Sequence, residues 1–255
     1  EQNNIDLFYA AAEAGGATIL SEAGVSGVMA KPWWPSFLFD PSFSNEDVSG
    51  QLELLRLRIV EEGWPAVLKF GPKGKPTDLE RDLSRSGFVA MDHRPPGMAT
   101  CLSTANDDHI KCDDLAVETV TNAVQLSEWL GFYGVFEFKM FERLIELPEV
   151  MLYIGRIGEK AVGSSMLFLG AGVAGFYQVQ VLPEYRRRGI GTALTVVPMR
   201  DARQAGYSYA VLQASTMGEP VYLRIGFESY FHYAFYHPVG YTYSDFIAVP
   251  GPRRN

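Results

Sequence analysis

Cysteine is nearly missing from this chain. There are two in 255 residues, Cys101 and Cys112, in neither a redox nor a metal-ligand spacing. That excludes a disulfide scaffold, and both read as reduced thiols of a cytoplasmic protein. Histidine is as sparse: His93, His109, His232 and His237 are scattered, and no metal site is expected from them. Positive charge is also short, with 22 Lys and Arg against 30 Asp and Glu, a formal −8. This balance argues against nucleic acid as the main partner and suits a cationic substrate meeting an acidic surface. No N-terminal targeting pattern is visible. The uncharged run 161–183 approaches membrane-spanning length, but Ser164, Ser165, Gln178, Gln180 and several glycines interrupt it. A strand, a Leu169-Gly170-Ala171-Gly172 turn and a second strand account for it without a bilayer, so no membrane association is expected.

What is present centres on the stretch from Val179 to Leu194, an apolar strand running into a basic, glycine-bearing turn and then an apolar helix. Backbone N–H groups at a helix N-terminus have no intrahelical partner and are backed by the dipole, so they hold an anion where Gly lets the backbone come close. Gly189 and Gly191 supply that access, and Arg186, Arg187 and Arg188 add positive charge suited to a pyrophosphate. The third Gly of the dinucleotide fingerprint and the Gly-Lys-Ser/Thr ending of a P-loop are both missing. Alone such a turn is a weak signal, since strand-to-helix turns often need Gly for steric reasons.

Its surroundings sharpen it. Arg186-x-x-Gly189-x-Gly191, preceded by Val181-x-Pro183, and downstream Tyr222-Leu223-Arg224-Ile225-Gly226-Phe227 resemble the two signatures of the GNAT superfamily of acyl-CoA-dependent N-acyltransferases, in order and at family spacing. The resemblance covers residues 115 to 235. It implies an α/β fold with a mixed, mostly antiparallel central sheet flanked by helices. It implies acetyl-CoA as co-substrate and no metal, with the pyrophosphate on Arg186, Arg187, Arg188, Gly189, Ile190, Gly191 and Thr192. The pantetheine arm would lie along Val179, Gln180 and Val181, on a strand that splays from its neighbour. Ser215 stands where relatives often carry a cofactor-bonding Asn, and Tyr222 matches the Tyr that protonates the departing thiolate.

The implied reaction moves an acetyl group to a primary amine by direct attack in a ternary complex, since no Cys or Ser stands in either motif as a nucleophile. Many relatives place a Glu base on the central strand; this chain has Tyr177, Gln178 and Gln180 there, none basic at neutral pH. A water chain to Glu137 or Glu219, or an amine arriving neutral, would take its place. Two other readings stay open: a non-catalytic acyl-CoA-binding sensor, and a protein whose loop holds some other phosphate ligand. The acceptor is expected to be a small-molecule or peptide amine, and the protein a monomer or homodimer.

The remaining chain divides in two. Helical rhythm marks Ile5 to Glu13, Val48 to Val60 and a segment near Leu79 to Ser84; strand patterns mark 17–20, 25–30, 36–39 and 66–70, with a last strand after Gly87-Phe88 entering a loop over 93–98. The order resembles the second half. Phe39-x-Pro41 matches Val181-x-Pro183, Ala66-Val67-Leu68 matches Ala210-Val211-Leu212, and Gly87-Phe88 matches Gly226-Phe227. The phosphate loop is not repeated, for Ser44, Asp47 and Ser49 stand in its place with Glu46 beside them, and the added carboxylates would repel a pyrophosphate. The reading is a tandem: a degenerate lobe over 1–105, an acetyltransferase domain over 106–240 and a tail over 241–255. Two unrelated halves sharing turn residues would give the same short matches. In the second half, Ala116 to Val120 reads as a strand, Asn122 as the N-cap of a helix to Leu130, and 150–156 with 161–169 as a hairpin. Trp129, Phe132, Tyr133, Phe136, Phe138 and Phe141 cluster as either an acceptor-pocket wall or a packed face.

Overall fold

The computed structural model describes residues 1–22, 24–29, 37–39, 43, 47–61, 67–72, 78–106, 112, 114–132 and 143–240. In its first half the elements are α1 (Gln2–Gly15), β1 (Thr18–Glu22), β2 (Val25–Met29), β3 (Phe37–Phe39), α2 (Val48–Glu61), β4 (Val67–Phe70), α3 (Leu79–Arg85), β5 (Phe88–Ala90) and β6 (Pro96–Cys101). There follow β7 (Leu115–Thr119), α4 (Ala123–Gly131), β8 (Val150–Ile157), β9 (Lys160–Gly170), β10 (Val173–Val181), α5 (Ile190–Gln204), β11 (Tyr209–Gln213), α6 (Glu219–Ile225), β12 (Glu228–His232) and β13 (Ala234–Pro238). Most lie within a residue or two of the expected spans. Three strands depart from them: β6 occupies the stretch read from sequence as a loop, and β12 and β13 fall where no strand was expected.

The chain forms two units. One holds the described residues of Glu1–Leu7 and Pro96–Tyr230, the other those of Phe8–Pro95 and Phe231–Val249. In the second unit the sheet order is β1-β2-β3-β4-β13-β5, and in the first it is β12-β6-β11-β10-β9-β8-β7. Read from the other end and without the edge strand β7, the larger sheet repeats the smaller: β8-β9-β10-β11-β6-β12 against β1-β2-β3-β4-β13-β5. Both sheets are mostly antiparallel, and each contains a parallel pair, β10 with β11 and β3 with β4, joined through a helix. The internal repeat is therefore a repeat of topology.

Strand pairing crosses the expected boundary at residue 105. The fifth place in each sheet is filled by a strand from the other half of the sequence. Thus β6 pairs with β11 from Tyr209↔Cys101 to Gln213↔Gly97, and β13 lies between β4 and β5. Backbone hydrogen bonding drives this exchange, because without the incoming strand the facing edges of β4 and β11 would be left unpaired. The expected tail, 241–255, lies outside the described residues.

Helix faces follow the sequence rhythm. Leu52, Leu55 and Ile59 make one buried stripe of α2 and join Leu68, Phe70, Leu83 and Phe88 in the core of the second unit. In the first unit α5 buries Ile190, Ala193, Leu194, Val196, Met199 and Ala202 against Phe176, Leu167 and Leu212 of the sheet. The strands β9 and β10 are near-continuous apolar runs because they lie centrally. At the start of α4, Asn122 accepts from the Gln125 amide at 3.0 Å while Gln125 accepts from the Thr121 amide at 2.8 Å, a reciprocal cap that confirms the expected helix start.

Candidate functional site

The site begins where β10 parts from its neighbours. Its parallel register with β11 runs from Ala174↔Ala210 to Phe176↔Leu212 and stops. Against β9 the register shifts between Tyr177↔Met166 and Gln180↔Ser164, so two residues of β10 face one of β9. This is a β-bulge. Its first residue, Gln178, takes a φ of 55°, a left-handed conformation that costs a non-glycine residue about 1–2 kcal/mol. Beyond it Gln180 and Val181 pair again with β9, while the edge that faced β11 is left open. The strand β10 and the end of β11 therefore diverge as the two sides of a wedge.

At the end of β10 the Leu182 amide bonds to Val162 O at 2.9 Å, and a single 3-10 turn, Pro183–Tyr185, redirects the chain. Arg186 then donates from Nε to Val181 O at 3.1 Å, fastening the turn to the strand. Arg187 has a φ of 60° and Gly189 a φ of 84°, and α5 starts immediately after. Its first intrahelical bond is Ala193 N–H to Gly189 O, 3.0 Å, so the preceding amides have no acceptor within the helix. Thus the glycine expected from sequence to open the turn does so at Gly189, through its backbone angle.

A cavity of about 620 Å³ fills the wedge. Val179, Gln180 and Val181 form its strand wall; Tyr185, Arg186, Arg187, Gly189, Ile190, Gly191 and Thr192 form its floor at the helix N-terminus. Opposite stand Ser215, Met217, Gly218, Pro220, Val221, Tyr222 and Arg224. The structure thus brings the sequence-predicted residues together with one exception. Arg188 does not line the cavity; its guanidinium carbon lies 5.4 Å from the centre of the Tyr185 ring. Ser215 lines the cavity, yet its Oγ accepts from the Gly218 amide at 3.1 Å, a capping bond at the approach to α6.

Tyr222 is 8% exposed and packs edge-on against Phe227 at 5.9 Å, which in turn meets Phe176 at 6.4 Å. Burial pushes its phenol pKa up to about 12, because the anion would lose its hydration. The hydroxyl is accordingly a protonated donor at neutral pH. A Cβ on Gly218 would approach Tyr222 Cε2 to 2.9 Å, so this glycine leaves room for the ring.

Sequence reasoning missed Met217, Gly218, Pro220, Val221 and Arg224 on the far wall. The available signal was the start of α6, where Pro220 in the first turn marks a helix entrance. The carboxylate Glu219 does not line the cavity, and Glu137 lies outside the described residues, as do Tyr133, Phe136, Phe138 and Phe141. Of the aromatic cluster, Trp129 is buried and donates from Nε1 to Ser165 O at 3.0 Å, which makes it a packed core residue. Among the described residues no helix is long and apolar enough to cross a membrane.

Comparison with known proteins gives the same motif region a family. Residues 121–227 match the model of the Acetyltransferase (GNAT) family. Among solved structures, a GCN5-related N-acetyltransferase from Kribbella flavida superposes with a TM-score of 0.75 at 17% identity, covering 96% of each chain. One from Sphaerobacter thermophilus gives 0.64 at 16% identity, covering 84% of this chain and 76% of its own. A tandem GNAT protein from the clavulanic acid biosynthesis pathway gives 0.61 at 12%, covering 86% of this chain and 79% of that one. At these identities the likeness establishes the fold, and the coverage extends it over both units. No curated protein matches by sequence.

Proposed function

We propose that the protein is an acyl-CoA-dependent N-acyltransferase, with acetyl-CoA as donor and a primary amine as acceptor. The observation that carries this reading is the wedge between β10 and β11 opening directly onto the N-terminus of α5, with Tyr222 on its far wall. A cavity of that form suits a long, narrow ligand with an anionic middle. The free amides and the dipole of α5 hold the pyrophosphate, assisted by Arg187 and Arg224. Gly191 makes the fit: a Cβ there would enter the space facing Val181, where a phosphate must come close. The open edge of Val179 to Val181 pairs with the amide groups of the pantetheine arm as another strand would.

In the transfer step the acceptor nitrogen bonds to the acyl carbon and the carbon–sulfur bond breaks. The sulfur keeps the electron pair and takes the Tyr222 proton. The acceptor nitrogen releases one proton to solvent, and solvent returns one to the phenolate. Among the described residues no cysteine lines the cavity, which favours direct transfer over a thioester on the enzyme. The fold does not choose the acceptor; the formal charge of −8 suits a cationic one.

Screening primary amines for CoA release in the presence of acetyl-CoA tests the proposal. Release dependent on an amine supports it. Tight acetyl-CoA binding with no release across polyamines, amino acids, peptides and aminoglycosides would favour the sensor reading, and binding of nucleotides in preference to acetyl-CoA would remove both.

A further inference from the structure

We infer that Asn3, in the first turn of α1, is a positioning residue for the acyl-CoA cleft, acting through Tyr177 to fix where β10 leaves β11. The inference rests on the proposed function for its ligand, but its geometry stands by itself. Asn3 is 2% exposed and its amide lies against the β9–β10 hairpin. Its Nδ2 donates to Gly170 O at 2.7 Å and to Val173 O at 3.1 Å, joining the two sides of the hairpin where it turns. Its Oδ1 accepts from the Tyr177 hydroxyl at 2.7 Å. Both amide hydrogens and the amide oxygen are therefore engaged, as a buried polar group requires.

Gly175 makes this arrangement possible. A Cβ there would lie 1.9 Å from Asn3 Oδ1 and 2.6 Å from Tyr177 Cε2, so the strand presents bare backbone where the amide and the ring edge meet. Tyr177 is the next residue on the same face of β10, and it occupies the pivot. Phe176 before it is the last residue paired with β11, and Tyr177 itself is the last in register with β9 before the bulge.

Immediately beyond, Gln178 sits in its left-handed conformation, which persists only when its surroundings hold it. Ser164 Oγ donates to Gln178 O at 3.5 Å, and the clamped side chain of Tyr177 anchors the residue just before it. Tyr177 does not line the cavity, so its influence on a ligand passes along the backbone to Val179 and Val181, which do. A buried network of this kind specifies one arrangement when every member is satisfied.

The test uses the full chain with Asn3→Ala, Tyr177→Phe and the double variant, measuring acetyl-CoA binding by calorimetry and amide hydrogen exchange in the ligand-free protein. Misplacement of a binding element by a fraction of an ångström is costly, so Asn3→Ala should weaken acetyl-CoA binding about tenfold and Tyr177→Phe about threefold. The double variant should be little worse than Asn3→Ala alone, because the two residues act through one contact. Exchange should quicken at 177–181 and stay unchanged in β8 and β11. Tyr177→Phe removes a single hydroxyl and keeps the ring, so it remains informative if Asn3→Ala does not fold. Affinity within twofold of the parent in a folded variant, or exchange quickened evenly over the whole sheet, overturns the inference and makes Asn3 a packing contact. If the parent protein does not bind acetyl-CoA, the functional reading falls instead, and the exchange pattern decides the clamp separately.

Discussion

Replacing Gly191 by Ala should separate folding from function, with effects of opposite sign. Gly191 is the second residue of α5, and an added Cβ would meet nothing nearer than Val181 Cγ2, at an ordinary contact distance of 3.8 Å. Its backbone is not in the left-handed region, so no strain is introduced. Alanine in a helix is favoured over glycine by about 0.5–1 kcal/mol, and the free protein should become more stable by up to that amount. The same methyl enters the cavity at the amides proposed to receive a phosphate. Losing one charge-assisted hydrogen bond costs about 1.5–3 kcal/mol, which weakens binding by roughly 10- to 150-fold. Urea unfolding and calorimetric titration with acetyl-CoA read the two effects separately. A stable Gly191→Ala protein with unchanged affinity would refute the placement of the pyrophosphate. A variant destabilised by more than about 1 kcal/mol would show that Gly191 serves packing, and the fit argument would fail with it. Gly191→Glu, which adds bulk and negative charge, should abolish binding in a folded protein.

Three further outcomes are expected. Tyr222→Phe should lower turnover by roughly 10² or more, the contribution of a positioned proton donor, with acetyl-CoA affinity nearly unchanged; turnover within twofold at saturating donor would remove Tyr222 from the mechanism. The same phenol links stability to alkali: its folded pKa, about 12 against an ordinary 10, means that stability is fully present below pH 10 and is lost as pH rises toward 12. The buried phenol contributes about 3 kcal/mol over that window, and denaturant titrations at pH 9 to 11 should show Tyr222→Phe falling less steeply than the parent. Finally, calorimetry should count one acetyl-CoA per chain, because the N-terminus of α2 in the second unit already holds a carboxylate: Asp47 Oδ1 accepts from the Gly50 amide at 2.9 Å. Two acetyl-CoA per chain would contradict that reasoning.

The sequence by itself determined most of the helices and central strands and the strand-to-helix motif, because these are local. The apolar stripe of α2, the reciprocal cap at Asn122 and the glycine of positive φ at Gly189 are set by neighbours within a turn or two, and such signals survive in a linear reading. The first two arginines and the glycines of the motif line one cavity for the same reason.

Only tertiary structure decided the rest. That β6 belongs to the sheet of the later half, and β13 to that of the earlier, depends on strand partners well over a hundred residues away in sequence, and neither strand carries a periodicity that names its partner. Arg188 lies in the same basic run as Arg187, yet the turn at Arg187 and Gly189 sends it toward Tyr185, which composition cannot foresee. The bulge at Gln178 has no sequence mark, since it arises where β10 must leave β11 while keeping β9. Asn3 shows the same limit most plainly: its amide matters because Gly175 and Tyr177, some 170 residues later, leave a gap of its shape against the strand.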